Sequence, residues 1–470
     1  MSESEKTRLP ILRSTATSSL NTDGSRTFVQ TADVRGRFDT ARRVGFYALI
    51  AFWAVLPWIK MGGQPAIFVD VEHRKFFLFG ATFNSQDIWL MFFLLTGTAF
   101  ALLYATAVAG RVWCGWACPQ TVFLEGLYRP IERLVEGSRE QRIRLERAPF
   151  GLEKLAKIAI KHAVYLVLSV FVAHVFVSYF VSIPRLWEMM RSHPSDHPEA
   201  FAWAFTVTGL LYVNFAWFRE QLCLIVCPYG RLQSALVDDD SITIGYDDAR
   251  GEPRGKLGAD GAGDCVDCKR CVVVCPTAID IRNGMQLDCI GCTACIDACD
   301  EVMDKLGRKR GLVRYDSLNG LMAKPKRFLR SRLYVYTFFG LLGLAVATFA
   351  FKKHVDFEAN LLRLPGLPYV TEAGKIRNSF EIHLVNKRGG TETFLLEPVP
   401  VQGVAFVVPL QKIELASLAG ARAPFFVVVD GGQFHGDFPV SVHVRRVGGE
   451  EAGGTTVVAQ FLGPSNQPAR

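Results

Sequence analysis

Five apolar runs divide the 470-residue chain, at 44–59, 88–110, 163–183, 200–218 and 333–351. The second, third and fifth contain no acidic or basic residue other than His174. They are as long as a helix needs to be to cross a bilayer, roughly 17–25 residues. The first is shorter, and the fourth runs straight into Arg219 and Glu220. One such run could be a buried core helix. Five of them separated by charged loops specify a membrane protein, because only a helix or a closed barrel satisfies its own backbone in lipid.

The formal charge of +8 is distributed unevenly. Residues 1–43 carry eight Lys/Arg and residues 111–157 carry nine, against three in 60–87 and two in 184–199. A further basic stretch, KLGRKRGLVRYDSLNGLMAKPKRFLRSR, lies between the fourth and fifth runs. Basic loops stay on the cytoplasmic side. The expected topology therefore has the N-terminus, the 111–157 loop and residues 223–332 in the cytoplasm, and the region after the fifth run outside. The polar, basic opening is the wrong composition for a signal peptide, so the first run is expected to act as the insertion signal.

In that topology all twelve cysteines lie at or inside the cytoplasmic face. Cytosolic thiols are kept reduced, which favours metal binding over disulfides. The segment CVDCKRCVVVCPTAIDIRNGMQLDCIGCTACIDACDE contains C-x2-C-x2-C-x3-C-P and then C-x2-C-x2-C-x3-C. This is the two-cluster ferredoxin run, in which the fourth cysteine of each half ligates the other cluster. Cys265, Cys268, Cys271 and Cys299 are expected to hold one 4Fe–4S cluster, and Cys275, Cys289, Cys292 and Cys295 the other. Zinc ribbons use paired C-x2-C rather than triplets. The second half ends in Asp-Glu where the first has proline, which leaves the turn after Cys299 less constrained.

Two apolar runs end alike, in RVWCGWACPQ and REQLCLIVCPYG. Cysteines four apart share a helix face, and the following proline ends or kinks the helix. Cys114, Cys118, Cys223 and Cys227 are thus expected at one depth, converging if the second and fourth spans are neighbours. Such thiols suit Cu(I), zinc or a further iron–sulfur centre. Arg111 and Arg219, just before the first cysteine of each pair, are expected either to favour thiolate or simply to anchor the helix ends. The matched pairs imply a helical hairpin used twice.

Four spans with two C-x3-C-P motifs and a two-cluster ferredoxin insert resemble the polyferredoxin-type membrane proteins, such as the quinol-oxidising subunits NapH and NosR. A fifth span followed by an outer β domain, and DACDEVMDKLG after the last ligands, are closer to the CcoG/FixG family of cytochrome c oxidase accessory proteins. The resemblance covers nearly the whole chain after about residue 25. It implies a cupric reductase, an oxidoreductase taking Cu(II) to Cu(I) during maturation of a haem–copper oxidase in the bacterial inner membrane. Cys114, Cys118, Cys223 and Cys227 match the motif proposed to handle copper there. Copper chaperones and oxidase assembly factors are the implied partners. The alternatives are a quinol-to-ferredoxin relay and an assembly scaffold with structural clusters.

Other ligand candidates are His174, inside the third run, and Met189, Met190, His193 and His197 in the outer segment WEMMRSHPSDHP. An intramembrane histidine is a site candidate by default, and a histidine bonded to a neighbouring helix is the competing reading. No nucleotide-binding glycine loop and no C-x-x-C-H haem signature occur. Electrons are therefore expected from a cytoplasmic carrier or from membrane quinol, with no nucleic acid involved; a homodimer is compatible with these features. After the fifth run, SFEIHLVNK, TETFLLEP, GVAFVVP, QKIELASL, APFFVVVD, PVSVHVRRV and TTVVAQFLG read as about seven strands between Gly/Pro turns. That pattern predicts a cysteine-free immunoglobulin-like sandwich. The expected organisation is a flexible cytoplasmic tail (1–42), a four-helix membrane region (43–227), a cytoplasmic ferredoxin domain (228–332), a fifth membrane helix (333–351) and a periplasmic immunoglobulin-like domain (352–470).

Overall fold

The computed structural model describes residues 28–464 except 62, 73, 84–86, 259–260, 287, 326, 328–329, 353–356, 389 and 448–453. Four helices are long and apolar enough to cross a membrane: Trp89–Ala109, Leu152–Val177, Pro198–Phe218 and Ser331–Phe351. Their large apolar side chains, such as Phe92, Leu95, Val167, Phe171, Phe205, Leu210, Leu341 and Leu344, are exposed. In water such a surface would be an aggregation site; in lipid it needs no cover.

The run at 44–59 behaves differently. Its helix, α1 (Arg37–Val55), starts within the basic tail and ends where Pro57 follows. It carries Arg37, Asp39, Arg42 and Arg43, so only its second half is continuously apolar. The twelve residues 44–55 rise roughly 18 Å as helix, against a hydrocarbon core of about 30 Å. Its start is held by the Asp297 carboxylate, which accepts from the amides of Phe38 (3.3 Å) and Asp39 (2.7 Å). An anion is favoured at a helix N-terminus, where backbone N–H groups lack partners. The expected flexible tail is likewise pinned where it is described: Ala32 donates its amide to Val273 (2.9 Å), and Arg142 donates to the Thr31 carbonyl (2.7 Å). Residues 1–27 of that tail lie outside the described residues.

The chain forms two compact units. The first comprises residues up to Leu56, Phe92–Tyr179 and Ile183–Ala345, and contains the ferredoxin segment. The second comprises Pro57–Met91, Phe180–Ser182 and Val346–Arg470. Within the first, α2 (Ile88–Ala109) packs on the last long helix, α5 (Ser331–Lys352), through Phe100 against Tyr336 and Tyr104 against Thr337 (3.3 Å). Helix α3 (Leu152–Val177) packs on α4 (Pro198–Val213), where His162 Nδ1 and the Tyr212 hydroxyl are 2.8 Å apart. The carbonyls left open at the end of α2 are taken up by the ferredoxin segment and its exit. Ser241 and Arg330 donate to Ala107, and the Ile242 amide donates to Val108.

The ferredoxin segment is built on one antiparallel strand pair, Thr243–Tyr246 with Val313–Asp316, and one helix, Ala294–Lys305. Around them Ile279, Ile281, Ile296, Met303 and Leu312 form a small core into which cysteines project.

The second unit contains a β-sandwich, with nine strands among the described residues after 352: β1 (Phe357–Arg363), β2 (Val370–Glu372), β3 (Lys375–Asn386), β4 (Glu392–Pro398), β5 (Val404–Val407), β6 (Lys412–Leu415), β7 (Gly420–Asp430), β8 (Phe438–Val447) and β9 (Gly454–Phe461). One sheet runs β5-β7-β3-β1 with β2 added on β3, the other β6-β4-β8-β9. Ile376, Phe380, Ile382 and Leu384 alternate inward on β3 and meet Val440, Val442 and Val444 of β8 in the core. The two strands beyond the expected seven include FEANLLR, whose Glu, Ala and Leu favour helix. Pairing with β3 in register Phe380↔Arg363 overrides that preference. The 57–91 segment belongs to this unit rather than to a four-helix region. Asp87 pairs with Lys387 at 2.5 Å, both largely buried, and Lys75 donates to the Leu418 carbonyl at 3.1 Å.

Candidate metal centres

The eight ferredoxin cysteines divide between two cavities. Cys265, Cys268, Cys271 and Cys299 line one. Cys271, Cys275, Cys289, Cys292 and Cys295 line the other. Each expected set of four thus faces one cavity, and Cys271 touches both. Cys299 lies on the helix Ala294–Lys305. Burial pushes the Cys271, Cys289 and Cys299 thiols up to about 12 each. A polynuclear iron centre supplies the positive charge that turns such thiols into thiolate ligands, and apolar cavities walled by four sulfurs fit it. Among the described residues no three His, Cys, Asp or Glu side chains are gathered as ligands of a single metal ion. Arg282 closes the first cavity from one side, bonded to Asp267 at 2.5 Å and to Asp280 at 2.6 Å.

The two C-x3-C-P motifs share a local build. Each follows a break with a left-handed residue four positions before the first cysteine, Gly110 (φ 55°) and Arg219 (φ 53°). A short helix comes next, α-helical at Val112–Trp116 and π-helical at Leu222–Val226. The second cysteine is extended in both, Cys118 at ψ 126° and Cys227 at ψ 112°, and proline opens the following helix. Proline suits that first position because its missing N–H had no helical partner. The motif helices are thus separate turns, not the ends of the long spans.

The motifs meet although their long helices pair with other partners. Arg111 donates to the Gly230 carbonyl at 2.6 Å. Gln233, fully buried, donates its amide to Cys114 Sγ at 3.3 Å and accepts from the same thiol at 3.8 Å. Gln120 donates to the Arg219 carbonyl at 2.9 Å. Burial pushes the Cys223 thiol up to about 12, and Cys118, Cys114 and Cys227 each push it further. Cys114 and Cys118 are raised by burial as well. Arg111 does pull Cys114 down, but it ranks behind burial and Gln233. Of the two roles expected for Arg219, acting on the thiol finds no support: it is not among the leading influences on Cys223. Its guanidinium is held by Glu132 through two 3.0 Å contacts, deep in an Arg–Glu network with Arg129, Arg142 and Glu220.

His174 is spent locally, its Nδ1 2.7 Å from the Val170 carbonyl one turn back. His193 Nδ1 lies 2.5 Å from the Ser195 hydroxyl and accepts the Ser195 amide at 3.3 Å. Among the described residues neither joins a group of three or more His, Cys, Asp or Glu side chains that could hold a metal ion, nor does His197 beside Met189 and Met190. Nothing in the sequence marked Gln233 or Glu132. The glycines of CGW and CIG were a usable signal, since a glycine inside a ligand motif often marks close backbone approach.

Apolar helices, paired cysteine-lined cavities and a sandwich domain together define a membrane-bound iron–sulfur electron-transfer protein. Family models agree: residues 218–318 match a 4Fe-4S dicluster domain, residues 90–137 a 4Fe-4S binding domain, and residues 347–464 the IG-like fold at the C-terminal of FixG. Protein RdxA of Cereibacter sphaeroides is 37% identical over 387 residues, covering 79% of this chain and 82% of its own. Nitrogen fixation protein FixG of Rhizobium meliloti is 38% identical over 299 residues, covering 61% and 57%. A crystal structure of a FixG-related protein from Vibrio parahaemolyticus matches 23% of this chain and 97% of its own, at 13% identity and TM-score 0.20. The chain belongs to the FixG family.

Proposed function

We propose that this protein is a cupric reductase of the bacterial inner membrane. It passes electrons from the ferredoxin segment to Cu(II) at Cys114, Cys118, Cys223 and Cys227 and releases Cu(I) for assembly of a haem–copper oxidase. One observation carries this reading: thiols from two distant motifs lie near enough to influence one another, Cys223 with Cys114, Cys118 and Cys227, and Cys114 packs on the apolar cluster that contains Cys292. Soft sulfur donors prefer Cu(I) over Cu(II), so they favour the product state of a one-electron reduction. The ligand sets are Cys265, Cys268, Cys271 and Cys299, and Cys275, Cys289, Cys292 and Cys295. The two 4Fe–4S centres supply one-electron storage.

In this reading the ferredoxin segment is cytoplasmic and the sandwich periplasmic, with α1 as a fifth, short crossing. Supporting it, the chain passes from the first unit to the second directly after α1, between Leu56 and Pro57, and the Lys/Arg-poor 60–87 segment shares the second unit with the sandwich. Electrons enter from a cytoplasmic carrier or quinol, and copper chaperones and oxidase assembly factors receive the product. A second reading has one observation in its favour. The match of residues 90–137 to a 4Fe-4S binding domain suits a third iron–sulfur centre on the same four thiols.

Anaerobic reduction of Cu(II), read with a Cu(I)-specific chelator, tests both. The Cys114/Cys118/Cys223/Cys227→Ser variant is expected to keep about eight iron atoms per chain, the content of two 4Fe–4S centres, and to lose copper reduction. Equal reduction by wild type and variant removes the thiols from the reaction. About twelve iron atoms in wild type, falling to about eight in the variant, establishes the third centre.

A further inference from the structure

The 289–292 ligand loop and the Val112–Trp116 helix touch backbone to backbone, with no side chain between them. A Cβ placed on Gly115 would stand 2.6 Å from the Gly291 carbonyl oxygen and 2.8 Å from that of Ile290. A Cβ on Gly291, whose φ is +69°, would stand 2.9 Å from the Arg111 carbonyl oxygen. Glycine is used where two backbones must approach this closely. Three further bonds lock the same joint. The Tyr315 hydroxyl donates to the Gly291 carbonyl at 3.1 Å and accepts from the Trp116 indole N–H at 3.1 Å. Arg42 donates to the Gly115 carbonyl at 3.1 Å. Phe38 packs edge-on against both Trp116 and Tyr315.

The joint serves one ligand set only. Cys114 packs in the same apolar cluster as Ile290, Cys292, Ala294 and Ala298. The other set contains the one cysteine of the twelve that is exposed, Cys268, and its cavity is lined by Lys269, Arg270 and Arg282. Cys271 lines both cavities.

We propose that Gly115, Gly291 and Tyr315 clamp the 289–292 loop onto the Cys114 helix, making Cys275, Cys289, Cys292 and Cys295 the exit set of the ferredoxin segment and Cys265, Cys268, Cys271 and Cys299 the entry set. This rests on the copper-reductase reading for the identity of the final acceptor. Gly115, Gly291 and Tyr315 are positioning residues, since none of them touches copper. Each transfer moves one electron: Cu(II) at the thiols becomes Cu(I), the exit centre is oxidised by one electron, and no proton is exchanged. A reduced one-electron carrier restores the electron, with dithionite taking its place in the test.

The test compares full-length wild type, Gly115→Ala and Tyr315→Phe in detergent, each checked for iron. Three readouts are used: EPR-monitored redox titration without copper, the maleimide labelling rate of Cys114 by peptide mapping, and bleaching of the dithionite-reduced protein by Cu(II). The expected result is unchanged iron, a shifted midpoint for one centre with the other unmoved, faster Cys114 labelling, and bleaching slowed in both variants relative to wild type. A Cys268→Ser background, which alters the spectrum of the entry centre, identifies which midpoint moved.

Wild-type bleaching rates in both variants at full iron content overturn the proposal, and so do midpoints that both move or both stay. Tyr315→Phe keeps the ring packing and decides the matter if Gly115→Ala loses iron. Should wild type itself fail to be bleached by Cu(II), the copper reading falls. The clamp then stands or falls on the single-centre shift and the Cys114 labelling.

Discussion

Arg219 had two readings from its place in the chain. Four positions before Cys223, it could favour that thiolate or simply anchor the helix end. Folding instead spends it on Glu132, which comes from a helix 87 residues earlier and is 5% exposed. Burial alone would raise the Glu132 pKa, but Arg219 and Arg129 overcome it and hold the carboxyl below the usual range. Removing one partner of such a buried pair strands the other charge, at a cost of about 3–5 kcal/mol. Glu132→Gln should lose stability of that order at neutral pH, measured as unfolding followed by tryptophan emission in detergent. Because the folded pKa is depressed, the contribution is present above the unfolded value of about 4.3 and disappears as pH falls through the lower folded value. The gap between wild type and variant should therefore close below about pH 4; a gap independent of pH would mean the charge is not what Glu132 contributes.

At the level of elements, the two C-x3-C-P segments are one device built twice: a left-handed break, a short helix, an extended cysteine and a proline-started helix. The proline and the cysteine spacing were legible in the chain, because both act locally. The break was not, since it is made by glycine in one copy and arginine in the other. Gly110 has a second constraint: a Cβ there would stand 2.9 Å from the Ile242 carbonyl oxygen. Gly110→Ala must bear the left-handed penalty, roughly 1–2 kcal/mol, together with that clash. A lowered midpoint of thermal unfolding is expected, along with easier alkylation of Cys114 as the motif loosens. An unchanged midpoint would show that the break is not needed. Similarly, FEANLLR becomes β1 only because β3 offers it an edge, which no local preference could reveal.

For the molecule as a whole, the division into units matches the charge pattern of the loops only in part. The Lys/Arg-poor segment at 60–87 shares a unit with the sandwich, whereas 184–199, equally poor in Lys/Arg, belongs to the unit that holds the ferredoxin segment. The Asp87–Lys387 pair, 300 residues apart, ties the first arrangement together. Asp87→Ala and Lys387→Ala should each destabilise the second unit by about 3 kcal/mol or more, with the double variant losing little beyond either single one. Additive losses in that double-mutant cycle, read by thermal unfolding, would show that the two side chains do not act as a pair.

Membrane character, the iron–sulfur chemistry and the β-rich end are written along the chain, because hydropathy, ligand spacing and strand alternation are properties of neighbouring residues. The meeting of Cys114 with Gln233, of Gly115 with Gly291 and of Arg219 with Glu132 depends on residues far apart in the chain. Such pairs acquire their meaning when packing brings two backbones to van der Waals distance or two charges out of water. The folded chain therefore decides which motifs meet, and which loop of the ferredoxin segment lies against the Cys114 helix.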